Sequence, residues 1–186
     1  DLVALAKSTG VTLQVSGSHS IEAIMLNFGE KSVFAGDKSV VRDAFLKLVP
    51  VAKILTALSV GSPVIEAKSW IYSSTSRYYT PFTESNGSAA YAIQNAEQAA
   101  ESLKKSNIRT PIDVRVLFDS GNPRAKTEVA LLGQYANSVG FNLIDVSSRT
   151  PREVYTTGEF DVYIATEALA GEVGGDPYWF TGGNVT

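Results

Sequence analysis

The apolar positions of this chain change period along its length, and the last third alternates most clearly. Residues 112–118 (IDVRVLF), 141–146 (FNLIDV) and 160–165 (FDVYIA) are short apolar runs. Residues 122–140 and 150–158, which separate them, are of helical length and character. Strand-length runs alternating with helical segments predict a βαβαβ unit and a parallel sheet. The local punctuation agrees. Asn122-Pro123 supplies a cap followed by a proline in the first helical position. Gly140 stands where a helix stops on a left-handed residue. Thr150-Pro151-Arg152-Glu153 has the spacing of a capping box.

The earlier part of the chain is less regular. Residues 2–6 read as the end of a helix stopped at Gly10, and residues 11–15 (VTLQV) alternate as a strand does. Residues 22–28 (EAIMLNF) predict a second strand, and residues 29–36 a loop. Asp37 is the expected N-cap of a helix carrying Val40, Val41, Ala44, Phe45 and Leu48 on one face. Pro50 predicts the first residue of another helix, running to about Ser59 and closed by Gly61. Residues 62–87 show no period and hold Trp70, Tyr72, Tyr78, Tyr79 and Phe82, the composition of a long functional loop. Ser88 is the expected cap of a helix with Ala92, Ala96, Ala99 and Leu103 on one face.

Parallel sheets present their ligands outside the carboxyl ends of the strands. The segment after the third run, Thr166-Glu167-Ala168-Leu169-Ala170-Gly171-Glu172, is therefore placed to face one.

Composition narrows the function. A chain of 186 residues, 44% hydrophobic, can bury a sizeable core without disulfides or metal. The net charge is −3 and no basic stripe appears, so nucleic acid is not an expected partner. Lys104-Lys105 is the one adjacent basic pair and reads as a solvated helix face. There is no cysteine, which removes thiol nucleophiles, thiolate metal sites and a disulfide framework. No apolar run approaches the ~20 residues that span a bilayer. The chain starts at Asp1, its single methionine is Met25, and it ends in a glycine-rich run; it reads as a piece of a longer protein.

Catalytic chemistry is scarce. His19, the single histidine, lies between two predicted strands and reads as a surface or hinge residue. No serine sits in a nucleophile elbow, and no histidine–carboxylate cluster has ligand spacing, so neither a catalytic residue nor a metal or other cofactor is expected. Gly29-Glu30-Lys31-Ser32 lacks the glycines of a phosphate loop. Glu167, Glu172 and Asp176 are the remaining acids of interest. They read either as solvated turn residues or as a cleft lining that meets a cationic group.

The order of elements carries a resemblance. Asn27-Phe28, then Asp37-Lys38-Ser39-Val40-Val41-Arg42-Asp43-Ala44-Phe45 with Leu48, then Lys53-Ile54 and Gly61, resemble a pattern of bacterial extracellular solute-binding proteins (family 5). These are the oligopeptide and dipeptide receptors of ABC transporters. Ala96, Ala99-Ala100 and Leu103 are similar to that family's helix before the βαβ unit, and Gly158-Glu159-Phe160-Asp161-Val162 to its Phe-Asp strand.

The resemblance implies an α/β fold: one lobe of a periplasmic-binding-protein-like (class C) two-lobed receptor, with a mixed sheet, a βαβαβ unit and flanking helices. Residues 1–186 would be a single ligand-binding lobe, the second, cut from the longer protein. The implied role is capture of a peptide or peptide-like solute between two lobes and delivery to ABC permease subunits, without chemistry. The implied setting is extracytoplasmic, with a lipid anchor on the full-length protein, and the lobe itself monomeric. The family's strand-proximal aromatic falls at Glu167, beside Ala168, and its amino-group-binding acid falls near Ala170. Residues 171–175 resemble an insertion that offers Glu172 as the acid instead. Arg149, at the start of the short helix, lies in a segment that approaches the cleft in the family. Trp70 and Trp179 are the aromatic candidates for the ligand wall, or else packing residues. Two rivals stand beside this reading: a hydrolase using the late carboxylates, and a receptor-fold sensory domain that recognises a protein.

Overall fold

A computed structural model describes residues 10, 20–59, 64, 66–69, 72 and 76–168. The predicted elements at 2–6 and 11–15, His19 and Gly61 lie outside the described residues. Four strands form one mixed sheet: β1 (Ser20–Leu26), β2 (Ile112–Phe118), β3 (Phe141–Asp145) and β4 (Val162–Ala168). Their order across the sheet is β1-β4-β2-β3. The last three strands run parallel, with Val116 opposite Val162 and Ile112 opposite Phe141. β1 lies antiparallel to β4, with Leu26 opposite Val162 and Ser20 opposite Ala168.

Six helices accompany the sheet among the described residues: α1 (Ser39–Leu46), α2 (Val51–Leu58), α3 (Tyr79–Ser85), α4 (Ala96–Lys105), α5 (Pro123–Val139) and α6 (Pro151–Thr157). The connections β2–α5–β3 and β3–α6–β4 run across the sheet in opposite directions, so their helices cover opposite faces of the sheet. The packing agrees. Val114, Val116 and Phe118 of β2 join Val162 and Ile164 of β4 in a core with α1, α4 and α5. Leu117 points the other way, into a smaller cluster of Phe160, Tyr163 and Ala165 packed on Val154 and Tyr155 of α6. Alternation along β2 thus feeds two cores, as expected of a strand covered on both faces.

Sequence signals account for the longest helix. Asn122 Oδ1 accepts the Arg124 and Ala125 amides at 2.9 and 3.4 Å, and Pro123 opens α5 where no amide is needed. Gly140 closes it at φ 102, returning its amide to the Ala136 and Asn137 carbonyls. One stripe of α5, Ala125, Glu128, Leu132, Ala136 and Val139, is buried at helical spacing.

Several local expectations shift. The first strand spans Ser20–Leu26, two residues earlier than the apolar run; Asn27 extends it by one backbone bond to Asp161, and its side chain turns to the Phe160 carbonyl. Asp37 does not cap α1; Lys38 holds that position, and no side chain bonds the first turn. Pro50 sits at the N-cap of α2 rather than inside it. α3 occupies part of the segment read as a long loop, where local helical order formed without an apolar stripe. Ser88 starts only a short 3₁₀ turn (Ser88–Tyr91), and the true cap of α4 is Asn95, which accepts the Gln98 amide at 2.9 Å. The spacing of Thr150 and Glu153 makes no reciprocal capping box: Thr150 Oγ1 donates to Glu153 Oε2 at 2.8 Å, so the two side chains satisfy each other.

The pieces that carried the family resemblance are joints of the fold. Asn27 is buried and donates from Nδ2 to the Phe160 carbonyl at 2.7 Å, while its amide donates to the Asp161 carbonyl at 2.8 Å. Phe34, from the loop after β1, stacks into the core against Phe45, which in turn meets Phe141 edge-on. Phe28 stays exposed with the Arg42 guanidinium over its ring, 5.6 Å from the centroid.

Candidate functional site at the carboxyl ends of the strands

The carboxyl ends of β2, β3 and β4 lie at one edge of the sheet, as parallel pairing requires. The loops after β2 and β3 are stitched together there. Asp119 bridges Ser148 in parallel register, the Ser120 amide donates to the Ser148 carbonyl at 2.9 Å, and the Ser148 amide donates to the Phe118 carbonyl at 3.1 Å. β4 runs on past its last pairing with β2, Phe118 to Ile164, and stays paired with β1 as far as Ala168. The middle strand therefore projects above its parallel neighbour, and its last residues, Thr166, Glu167 and Ala168, stand at that edge.

Each loop is shaped by its own short hydrogen bonds. Asp119 Oδ1 accepts the Gly121 amide at 2.7 Å, and its carbonyl accepts the Asn122 amide at 2.9 Å. Asp145 Oδ1 accepts the Ser147 amide at 2.7 Å, and Ser148 Oγ the Thr150 amide at 3.0 Å. These turns bring exposed Arg149 against the β2 loop. A side chain at Gly121 would collide with the Arg149 guanidinium and lie 3.1 Å from Asp119 Oδ1. The glycine is what lets the guanidinium lie against this loop.

A second group sits where β1 meets α5. Arg124 donates to Glu22 Oε2 from Nε at 3.0 Å and from Nη2 at 2.7 Å. Glu128, one turn further along the helix, is buried. Burial first, then the charge of Glu22, push the Glu128 carboxyl up to about 8, against the pull of Arg124.

The opposite side of the sheet carries the strongest ion network. Asp161 is fully buried and accepts the Val33 amide at 2.9 Å, the Arg115 amide at 2.7 Å and the Arg115 guanidinium. Burial works to raise its pKa, but these donors outweigh burial and hold the carboxyl below the usual range. Glu159 joins from the surface, paired with Lys31 at 2.8 Å and Arg115 at 2.9 Å. Lys31, from the phosphate-loop look-alike, is thus a structural cation.

Of the residues singled out from the sequence, Arg149, Glu167 and Ala168 come to the same edge of the sheet. Trp70, Glu172, Asp176 and Trp179 lie outside the described residues. Sequence reasoning missed Asp119, Gly121, Glu22, Arg124 and Glu128. Only Glu128 left a signal: a charged residue within an otherwise apolar helical stripe. Among the described residues no group of three or more His, Cys, Asp or Glu is arranged to hold a metal ion, and no helix is long and apolar enough to cross a membrane.

Solved structures place this architecture. A dipeptide-binding protein from Pseudoalteromonas sp. SM9913, solved with Met-Leu, matches with a TM-score of 0.72 at 20% identity, over 97% of this chain and 34% of its own. The periplasmic EDTA-binding protein EppA matches with a TM-score of 0.70 at 15% identity, over 84% of this chain and 31% of its own. NikA from Staphylococcus aureus, solved with Ni(L-His)2, matches with a TM-score of 0.64 at 14% identity, over 97% of this chain and 36% of its own. No family model and no curated protein matches the sequence. The chain thus has the fold that its resemblance to family 5 solute-binding proteins implied, a mixed α/β unit matching part of a two-lobed receptor. It spans about a third of the length of the structures it matches.

Proposed function

We propose that this chain is one lobe of an extracytoplasmic solute-binding protein, the receptor of an ABC importer. It closes on its ligand with a counterpart lobe and passes the solute to permease subunits. The observation that carries this reading is the match to part of several solute receptors, with 97% of this chain aligned to a dipeptide-binding protein. Hinge closure then supplies the physics: two rigid bodies trap a solute as short connecting segments rotate. A stiff sheet covered on both faces suits a rigid jaw, and β4 projecting beyond β2 gives it a lip.

On this reading residues 1–186 form a single lobe cut from the longer chain, which is lipid-anchored outside the cytoplasm. The solute is a peptide or a peptide-like molecule. Glu167, Ala168 and Arg149 line the ligand wall from the strand ends, with Glu172, Trp70 and Trp179 contributing from the segments around it. Aromatic faces would supply contact area, and the charged groups would fix the ends of the solute. No covalent chemistry is assigned. The structural neighbours include proteins solved with a dipeptide, a nickel–histidine complex and stachyose, which supports a binding role over a hydrolytic one.

The test is mass spectrometry of solute retained by the full-length receptor, followed by calorimetry with that solute. Micromolar binding corresponds to ~8 kcal/mol, and one lobe alone should keep about half of it, hence roughly millimolar affinity. Micromolar binding by the isolated chain, or no retained solute in the full-length protein, would count against the reading. Glu172→Ala in the full-length receptor is expected to weaken capture at least tenfold without unfolding it.

A further inference from the structure

Glu128 sits inside the buried stripe of α5, between Ala125 and Leu132, with 3% of its surface exposed. Its Oε1 and the Oε1 of Glu22 on β1 are buried oxygens with no hydrogen-bond partner among the described residues. A bare buried carboxylate oxygen loses its water without compensation, and the charge of Glu22 adds repulsion to that of Glu128. The other oxygen of Glu22 is held by the Arg124 guanidinium at 2.7 and 3.0 Å, a charge-assisted pair. A single proton on Glu128 then serves both orphaned atoms. It removes the second negative charge and gives Glu22 a donor.

We propose that Glu22 and Glu128 share one proton at neutral pH, and that this proton clasps β1 to α5 at the strand-end edge of the lobe, making that edge pH-sensitive. The charges on the elements packed against α5 are few. β2 carries Asp113, bonded by Asn142, and Arg115, bonded to Asp161, and α1 carries Arg42, bonded to the Phe34 carbonyl, and Asp43, paired with Lys47. β1 offers Glu22. α2 offers Lys53, which bonds Tyr135 about two turns away along α5. α4 exposes Glu97, Lys104 and the pair Glu101–Lys105, and β3 carries exposed Asp145. Only Glu22 and Arg124 act on the Glu128 charge, and they pull in opposite directions.

The consequence reaches the proposed ligand wall through register. Glu22 pairs with Thr166 on β4, next to Glu167. Arg124 also donates weakly to the Leu58 carbonyl of α2 at 3.4 Å, so one guanidinium spans β1, α2 and α5. Loss of the shared proton leaves two carboxylates and one arginine in a partly buried joint, and β1, at the edge of the described sheet, has a strand partner on one side only. The proton clasp stands on this chain's own geometry; its bearing on solute capture rests on the function proposed above.

The experiment is infrared difference spectroscopy of this chain between about pH 6 and pH 10, with urea unfolding across the same range and below it. Wild type should show a protonated-carboxyl stretching band at neutral pH that disappears as pH rises. Glu128 binds its proton more tightly folded than unfolded, so its contribution to stability is fully present below 4.5 and is lost between 4.5 and about 8. The unfolding constant should therefore rise with pH, by at most about tenfold per pH unit in that window. Glu128→Gln should remove both the band and this slope. Glu22→Gln should move the band's midpoint to lower pH, and this variant decides the matter if Glu128→Gln does not fold. A wild-type spectrum without the band at pH 7, a band that persists in Glu128→Gln, or a midpoint unmoved by Glu22→Gln would overturn the proposal. A receptor that keeps the band but captures no solute would instead refute the functional reading and leave the clasp standing.

Discussion

Arg115 holds Asp161 by both carboxylate oxygens, Nε to Oδ2 at 3.0 Å and Nη2 to Oδ1 at 3.1 Å. The pair spans β2 and the entry to β4, and it also fixes the loop after β1: Arg115 Nη2 donates to the Lys31 carbonyl at 2.7 Å and the Val33 amide donates to Asp161. That loop delivers Phe34 to the core. A buried ion pair does not by itself guarantee stability, since both charges lose water. Here every acceptor site on Asp161 has a donor, and Arg115 keeps a quarter of its side chain in solvent.

Removing one partner should therefore cost more than the pair contributes. Asp161→Asn is expected to destabilise the chain by about 3 kcal/mol, the lower end for a broken buried pair because Arg115 can be rehydrated. The sign with pH follows from the lowered pKa. The stabilisation by Asp161 is present above the unfolded carboxyl value near 4 and is lost as pH falls through the lower folded value. Urea midpoints measured down the acid limb should fall in wild type, and most of that slope should be missing from the variant.

Gly140 ends α5 in a left-handed conformation, and a side chain there would lie 2.8 Å from Thr110 Cβ and Cγ2. Both strain and collision oppose Gly140→Ala, so a loss of about 2 kcal/mol is expected. Thermal melts check this, and a variant as stable as wild type would show that the α5–β3 turn relaxes freely.

Asn122 satisfies two amides at the start of α5. Asn122→Ala should cost about 1 kcal/mol, whereas Asn122→Asp should cost little or gain slightly, since a carboxylate suits the positive end of a helix. Chemical denaturation of the two variants side by side separates capping from a general intolerance of this position.

Gly121 lies under the Arg149 guanidinium, and its backbone does not need a glycine conformation. Gly121→Ala should leave stability within about 0.5 kcal/mol of wild type, because the colliding atoms are the far end of an exposed side chain. In the full-length receptor it should lower solute affinity if Arg149 touches the solute, and Arg149→Ala should then lower it by a similar factor. Calorimetry of the two single variants and the double variant reads the coupling: full additivity would show that Gly121 does not act through Arg149.

Much of the architecture was legible from residue pattern. The parallel βαβαβ unit could be read because its strands are short, mainly apolar runs and its longest helix begins and ends on residues that admit few alternatives, Asn122-Pro123 and Gly140. Arg149 was legible as an edge residue only through the family likeness. Where the reading slipped, the signal was local and a competing partner decided. Asp37 and Ser88 are good caps that the chain does not use, because packing set the helices one or more residues away and Asn95 offered a better-placed acceptor.

The chain's own order of apolar runs and stop residues determined the strands of the sheet, since periodicity and backbone restriction act within a few residues. Only the tertiary structure decided that β1 joins antiparallel beside β4, because pairing depends on which edge is left bare once the crossovers have packed. It alone decided what the charged residues do. Asp161 and Asn27, far apart in sequence, meet as partners of one joint. Glu128 becomes costly because packing buries it and then Glu22 arrives beside it on a different element. A charge acquires its energy from the distance and the solvent around it, and neither is written in the order of residues.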